Sequence, residues 1–127
     1  LAELDHQERI VSERGEDTAM VDQLRAAVQS LGYRLTICEP FGGAGVAVIL
    51  PGCDRMHAVE LGWQLVDAVK RLARTKEAPQ LSLSVGVAAV AVPPRNFPPG
   101  DLLDGAQRCL YASRASGGGV VKSIETY

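Results

Sequence analysis

Apolar residues return along this chain with two different periods, and the switches between them mark out its elements. Over residues 17–31, Met20, Val21, Leu24, Ala27, Val28 and Leu31 recur at helical spacing, and Gly32 follows as a stop. Residues 33–39 alternate, with Tyr33, Leu35 and Ile37 on one face, which predicts a strand. The glycine-rich stretch 41–45 predicts a turn, and the wholly apolar stretch 46–50 predicts a second strand, so the pair reads as an antiparallel hairpin. Pro51-Gly52 ends it. Residues 56–73 form the clearest helical pattern, with Val59, Gly62, Leu65, Val66, Val69 and Leu72 as the apolar stripe. Residues 81–92 predict a long strand stopped by Pro93-Pro94, and residues 95–100 a proline-rich loop. A last helix is expected over 101–116, with Leu102, Leu103, Ala106, Leu110 and Ser113 inward; Gly117-Gly118-Gly119 breaks it before a short strand over 120–124. Residues 1–5 read as the tail of one further strand. The layout is α+β, with helices packed on a largely antiparallel sheet.

Composition narrows the class. The 127 residues suit one domain, and 46% hydrophobic against 22% charged residues argue against a disordered chain. Aromatics are only 5%, so the core must come from Val, Leu, Ile and Ala. A net charge of −2 disfavours a general nucleic-acid binder. That charge is uneven: residues 1–30 hold seven acids and three bases, and the remainder eight acids and ten bases. The acidic first segment is expected to be a solvated helix face. Cys38, Cys53 and Cys109 stand far apart with no paired spacing, which fits a reduced cytoplasmic domain. His6 and His57 share no ligand spacing with them, so no structural zinc is expected. The longest apolar run, residues 85–92, is too short to cross a bilayer, no signal peptide is evident, and no direct membrane contact is expected. Because the chain opens on Leu1, it is expected to be excised from a longer multidomain protein.

Four pieces, in order, carry a family resemblance. A hairpin with Phe41-Gly42-Gly43 at its tip runs into Val46-Ala47-Val48-Ile49-Leu50-Pro51-Gly52. Downstream, Leu83-Ser84-Val85-Gly86-Val87-Ala88 and Ala106-Gln107-Arg108-Cys109-Leu110-Tyr111 follow, with Gly117 after them. Leu4-Asp5-His6 and Gly15 complete the set. These resemble the signature hairpin, the "SxGVA" strand, the "ADxALY" helix, the "GRN" turn and the "DxDxFK" segment of the GGDEF family, bacterial diguanylate cyclases that join two GTP molecules into cyclic di-GMP. The resemblance spans residues 1 to about 125. It implies a nucleotide-cyclase-like palm with a ferredoxin-like core, formed by residues 1–127 as a single degenerate GGDEF domain.

The chain departs from that pattern where chemistry is concentrated. The family's third and fourth signature positions are acidic; here they are Ala44 and Gly45, and the fifth, normally Phe, is Val46. Phosphoryl transfer depends on positioning and on charge neutralisation by a divalent metal held by oxygen ligands, which a methyl group and a hydrogen cannot supply. Glu3 falls at the first-strand metal position, and as a lone acid it is read as an ordinary exposed Glu. The base-reading positions align with Val11 and Met20, and Gln7-Glu8 replace "FK". Gly118 stands for the Arg of "GRN", whereas Arg114 keeps the charge of the family's Lys. The product-inhibition register reads Tyr33-Arg34-Leu35-Thr36, without its Arg and Asp. The string Arg14-Gly15-Glu16-Asp17 lies too early and is read as a solvated turn.

On this reading the chain is not an enzyme and has no catalytic residue, metal or cofactor. Gly42, Gly43, Ala44, Gly45 and Val46 form a vestigial signature hairpin, and Arg114 is a residual phosphate contact. The expected function is a catalytically inactive GGDEF-type domain with a regulatory or scaffolding role in bacterial cyclic di-GMP signalling. It would act on adjoining EAL-like or sensor domains, or on a second copy as a dimer. The alternative is a nucleotide-binding effector that retains GTP or cyclic di-GMP without turnover, its glycine turn offering backbone N–H groups to phosphate. An unrelated ferredoxin-like module is the third possibility. Cys53, which follows a Pro-Gly turn, shows no sign of an activated thiolate.

Overall fold

The computed structural model describes residues 1–5, 26, 29, 37–41, 45–75, 82–93 and 95–126. Five strands and two long helices are defined among them: β1 (Ala2–Leu4), β2 (Ile37–Phe41), β3 (Gly45–Ile49), α1 (Arg55–Thr75), β4 (Leu83–Val90), α2 (Pro99–Ala115) and β5 (Val121–Thr126). They form one sheet in the order β2-β3-β1-β4-β5. Only β4 and β5 run parallel; the other three pairings are antiparallel. The sheet is therefore largely antiparallel, as the apolar pattern predicts. The short first strand, read only as a tail, lies at the centre of the sheet.

The hairpin registers Phe41 opposite Gly45 and Ile37 opposite Ile49. Both Phe41 and Gly45, placed in the turn by the sequence, are thus ladder residues. A neighbouring strand supplies hydrogen-bond partners that local pattern does not reveal, so the strands close further toward the tip. Gly42, Gly43 and Ala44 lie outside the described residues, as do Gln7, Glu8, Val11, the 14–17 string, Met20 and residues 33–36. Of the helix expected over 17–31, Ala26 and Gln29 are described; both are helical and exposed, in keeping with their positions off its apolar stripe.

The two helices cover opposite faces. A Cβ placed on Gly62 of α1 would sit 3.2 Å from the side chains of Val85 and Val121. The next residue on β4, Gly86, points the other way and meets the backbone of α2 at Ala106, Cys109 and Leu110. The α1 face holds the core of Ala2, Leu4, Val46, Leu83 and Val85 against Leu61, Leu65, Val66 and Val69, all buried. On the α2 side, Gly105, Ala106, Cys109, Leu110 and Ser113 are buried. Leu103, expected inward, is instead 43% exposed. The cause is helical phase: α2 buries the stripe Gly105, Ala106, Cys109, Leu110 and Ser113, and Leu103 falls at its edge near the helix start.

Cys53 and Cys109 are free thiols. Burial pushes the Cys53 thiol up, and Asp54 adds to the rise, so the structure supports the reading of an unactivated group. None of the described helices is long and apolar enough to cross a membrane.

Candidate functional site

The site is built on the α2 face of the three central strands. Ladder register sets Glu3 of β1 between Gly45 of β3 and Ser84 of β4. Residues two apart on a strand share a face, so the chain aims Asp5 to the same side just beyond the end of β1. From the opposite layer, the C-terminal turn of α2 brings Arg114 over this face.

Asp5 is buried. Its carboxylate accepts hydrogen bonds from the hydroxyls of Ser82 at 2.6 Å and Ser84 at 2.5 Å, and from the Gly119 N–H at 3.1 Å. Its own N–H donates to the Ser82 carbonyl at 2.9 Å. One side chain therefore ties the end of β1 to β4 and to the glycine turn after α2. That turn runs through Gly117, Gly118 and Gly119 with φ of +111°, +80° and +70°, a region L side chains rarely adopt. At Gly118 a Cβ would also overlap the Asp5 carboxylate. Any side chain at Gly118 would meet both backbone strain and a buried acid.

Glu3 is not the exposed acid that the sequence suggested. Its side chain is only 12% exposed, and one carboxylate oxygen accepts from Nη1 of Arg114 at 2.7 Å. Arg114 is held in place by what surrounds it on α2. Ser113, fully buried, donates to the Val120 carbonyl at 2.7 Å. The N–H groups of Ser116 and Gly117 close the helix end on Ala112 and Arg114.

Of the residues singled out from sequence, the structure brings Gly45 and Arg114 to one place through Glu3. Val46 is elsewhere: it is fully buried on the α1 face, a core residue rather than part of a site. Gly42, Gly43 and Ala44 lie outside the described residues. Sequence reasoning missed the Asp5 node. Its available signal was an acid at the end of an apolar strand, with Ser82 and Ser84 spaced two apart on the strand that pairs with it.

The donor set does not fit a divalent cation. Such ions take six or more oxygen ligands from several carboxylates or carbonyls. Among the described residues no three or more His, Cys, Asp or Glu side chains are grouped to hold one. Glu3 is engaged by a guanidinium, Asp5 by two hydroxyls and an N–H, and Gly45 has no side chain to offer.

No family model matches the chain, and no curated protein matches it. Solved structures do. An active GGEEF domain of a diguanylate cyclase from Vibrio cholerae superposes with a TM-score of 0.84 at 16% identity, covering 99% of this chain and 81% of that one. The coiled coil and GGDEF domain of DgcB from Caulobacter crescentus, in complex with c-di-GMP, gives 0.75 at 19% identity, over 97% of this chain and 66% of that one. The diguanylate cyclase SiaD from Pseudomonas aeruginosa, in complex with its activator SiaC, gives 0.79 at 18% identity; this chain covers 97% of itself but 48% of SiaD.

These neighbours correct the expectation that the chain is not an enzyme. The fold is shared with an active diguanylate cyclase domain. The expectation rested on side chains, the acids absent at positions 44 and 45 together with Val11, Met20, Gln7-Glu8 and Gly118, whereas the likeness to a cyclase lies in the fold. The chain is a domain of GGDEF-like fold.

Proposed function

We propose that this domain works in bacterial cyclic di-GMP signalling in a regulatory and scaffolding capacity, from the cytoplasmic side, by pairing with a second copy or docking on a neighbouring domain of EAL-like or sensor type. The observation that carries the reading is the Glu3–Arg114 ion pair opposite Gly45. The charged groups of the site face are turned toward each other, while the hairpin strand entering that face brings no acid. The comparisons lend support from the partners that accompany the fold elsewhere: SiaD is held by an activator protein, and DgcB continues into a coiled coil. Exposed Met56 on α1 and Tyr111 on α2 supply apolar contact area of the kind that partner surfaces use.

The competing reading, a nucleotide-binding effector, needs Arg114 for phosphate. Here the guanidinium already has an anionic partner, so a phosphate must share or compete for it with Glu3. Two measurements on the chain decide between them. Sedimentation velocity across a concentration series is expected to show reversible self-association, or a complex with the adjoining domain supplied separately. Calorimetric titration with GTP and with cyclic di-GMP is expected to give no heat of micromolar binding. A strict monomer that ignores its neighbour and binds either nucleotide at micromolar affinity refutes the scaffold reading. A turnover assay with GTP and Mg²⁺ belongs beside them, since the frame is an enzyme's.

A further inference from the structure

We infer that Arg114 is the resident cation of the site face, its guanidinium standing beside Glu3 where the family resemblance reserves room for a divalent metal ion. The inference rests on the fold and on contacts within this chain, not on the regulatory role proposed above.

Three observations converge on it. The first is burial. Glu3 lies in the central strand of the sheet with its side chain 12% exposed, so its charge has lost most of its water and requires a compensating partner. The second is the inventory of groups on that face. Gly45 is the ladder partner on one side, without a side chain, and Ser84 is the partner on the other, its hydroxyl committed to Asp5. Asp5, the other acid on the same face, is occupied by Ser82, Ser84 and Gly119. Among the described residues, a divalent ion at Glu3 would find one carboxylate where it needs several oxygen ligands. The third is the match of charge and shape. One carboxylate and one guanidinium neutralise each other one for one, through a charge-assisted hydrogen bond of 2.7 Å.

The α2 terminus explains why the cation stays. Ser113, next to Arg114, is fully buried and bonded to Val120, and the Gly118 N–H returns to the Ser113 carbonyl at 3.0 Å. The arginine therefore projects from an anchored turn, so pairing has to order its side chain but not its backbone. A long cation in a frayed terminus would not hold one geometry. The contact also joins residues 111 apart in sequence, linking the central strand to the α2 layer.

The test uses the chain itself, with Glu3→Gln, Arg114→Gln and the double variant, which remove the charges while keeping polar side chains. Chemical denaturation is expected to show coupling of about two- to fivefold in the folding equilibrium constant between the two positions, as for a partly exposed ion pair. That coupling should shrink at high salt. Titration with Mn²⁺ alone, followed by electron paramagnetic resonance, supplies a readout that stability does not. At about 1 mM Mn²⁺, the weak end of the range for carboxylate sites, the native chain and Glu3→Gln should take up the ion equally. Strictly additive variants overturn the inference. So does Mn²⁺ uptake by the native chain that Glu3→Gln abolishes, which would place a metal, and not Arg114, on the carboxylate.

Discussion

Replacing Asp5 by Ala removes the acceptor shared by two hydroxyls and one N–H, and the loss can be sized from its surroundings. Hydrogen bonds to a charged group contribute about 1.5–3 kcal/mol each. Three of them overstate the net effect, because withdrawing a carboxylate from water costs several kcal/mol in the other direction. What truncation leaves behind decides the outcome. Ser84 is fully buried, so its hydroxyl has no water to turn to, and the Gly119 N–H loses its acceptor as well. Each buried orphan costs about 1–3 kcal/mol. We expect Asp5→Ala to destabilise the domain by about 3–4 kcal/mol, a large share of the ~5–15 kcal/mol typical of a domain. For a chain of this length that lowers Tm by roughly 10–15 °C. Asp5→Asn keeps one acceptor oxygen in nearly the same volume and should cost about half as much. Urea denaturation followed by far-ultraviolet circular dichroism measures both, with an unchanged m-value confirming that only stability has moved. A loss under about 1 kcal/mol for the Ala variant, or equal losses for Ala and Asn, would refute the node as an energetic tie between β1, β4 and the glycine turn.

Two further outcomes follow from local geometry. Gly86→Ala puts a methyl group onto the Ala106 carbonyl and the Leu110 N–H, and 2.9 Å from the Cys109 carbonyl carbon, with backbone on every side and nothing flexible to yield; urea midpoints should show a loss of about 3 kcal/mol. The control is Gly62→Ala, where the new methyl meets only the Val121 and Val85 side-chain tips at 3.2 Å, and where the gain in helix propensity of about 1 kcal/mol should bring the net change near zero. At the start of α1, Asp54 accepts from the His57 N–H at 2.8 Å and pairs with its ring nitrogen at 2.6 Å. The hydrogen bonds to His57 hold the Asp54 carboxyl below its usual 3.8, and the bond to Asp54 raises His57 above its usual 6.5. The depressed acid contributes stability that is present above the ordinary carboxylate pKa and lost as pH falls through its lowered value. The raised histidine contributes stability that is full below 6.5 and lost as pH climbs through its raised value. The Tm difference between the native chain and His57→Ala should therefore be larger at about pH 5.5 than at about pH 8.5; an equal difference at both would exclude the ionic part of the cap.

The parts of the fold legible in the sequence are those set by local period and by backbone chemistry. The apolar stripe of α1 needs only helical spacing, and Leu65, Val66 and Val69 are buried where it puts them. The hairpin needs only two apolar runs around glycines. Less legible are features decided by a partner distant in sequence. Leu103 belongs to a helical pattern, yet it lies at the edge of the stripe that α2 buries and stays exposed. Glu3 reads as an ordinary acid because nothing near it in sequence names Arg114 as its partner. The Asp5 node joins positions 5, 82, 84 and 119, so each polar residue looks unremarkable until the sheet assembles them.

The two sheet faces explain how a likeness of fold and a departure in chemistry coexist. Ala2, Leu4, Val46, Leu83 and Val85 supply the buried face toward α1, while Glu3, Gly45, Ser84 and Asp5 point to the α2 side. Alternation along each strand makes the two sets nearly independent: exchanging a residue on one face leaves the packing of the other in place. A glycine at position 45 leaves the α1 core untouched, and the fold is shared at 16% identity with a TM-score of 0.84. Structural likeness of that degree thus reports chiefly on the apolar face. The site face answers to a separate constraint, that every charge withdrawn from water must find a partner. Asp5 meets it with neutral donors and Glu3 with a guanidinium, two solutions within three residues of each other. The second is the one a ligand could contest, because Arg114 is half exposed whereas Asp5 and its partner Ser84 are buried. Among the described groups of the site face, the Glu3–Arg114 pair is therefore the charged contact most open to a ligand.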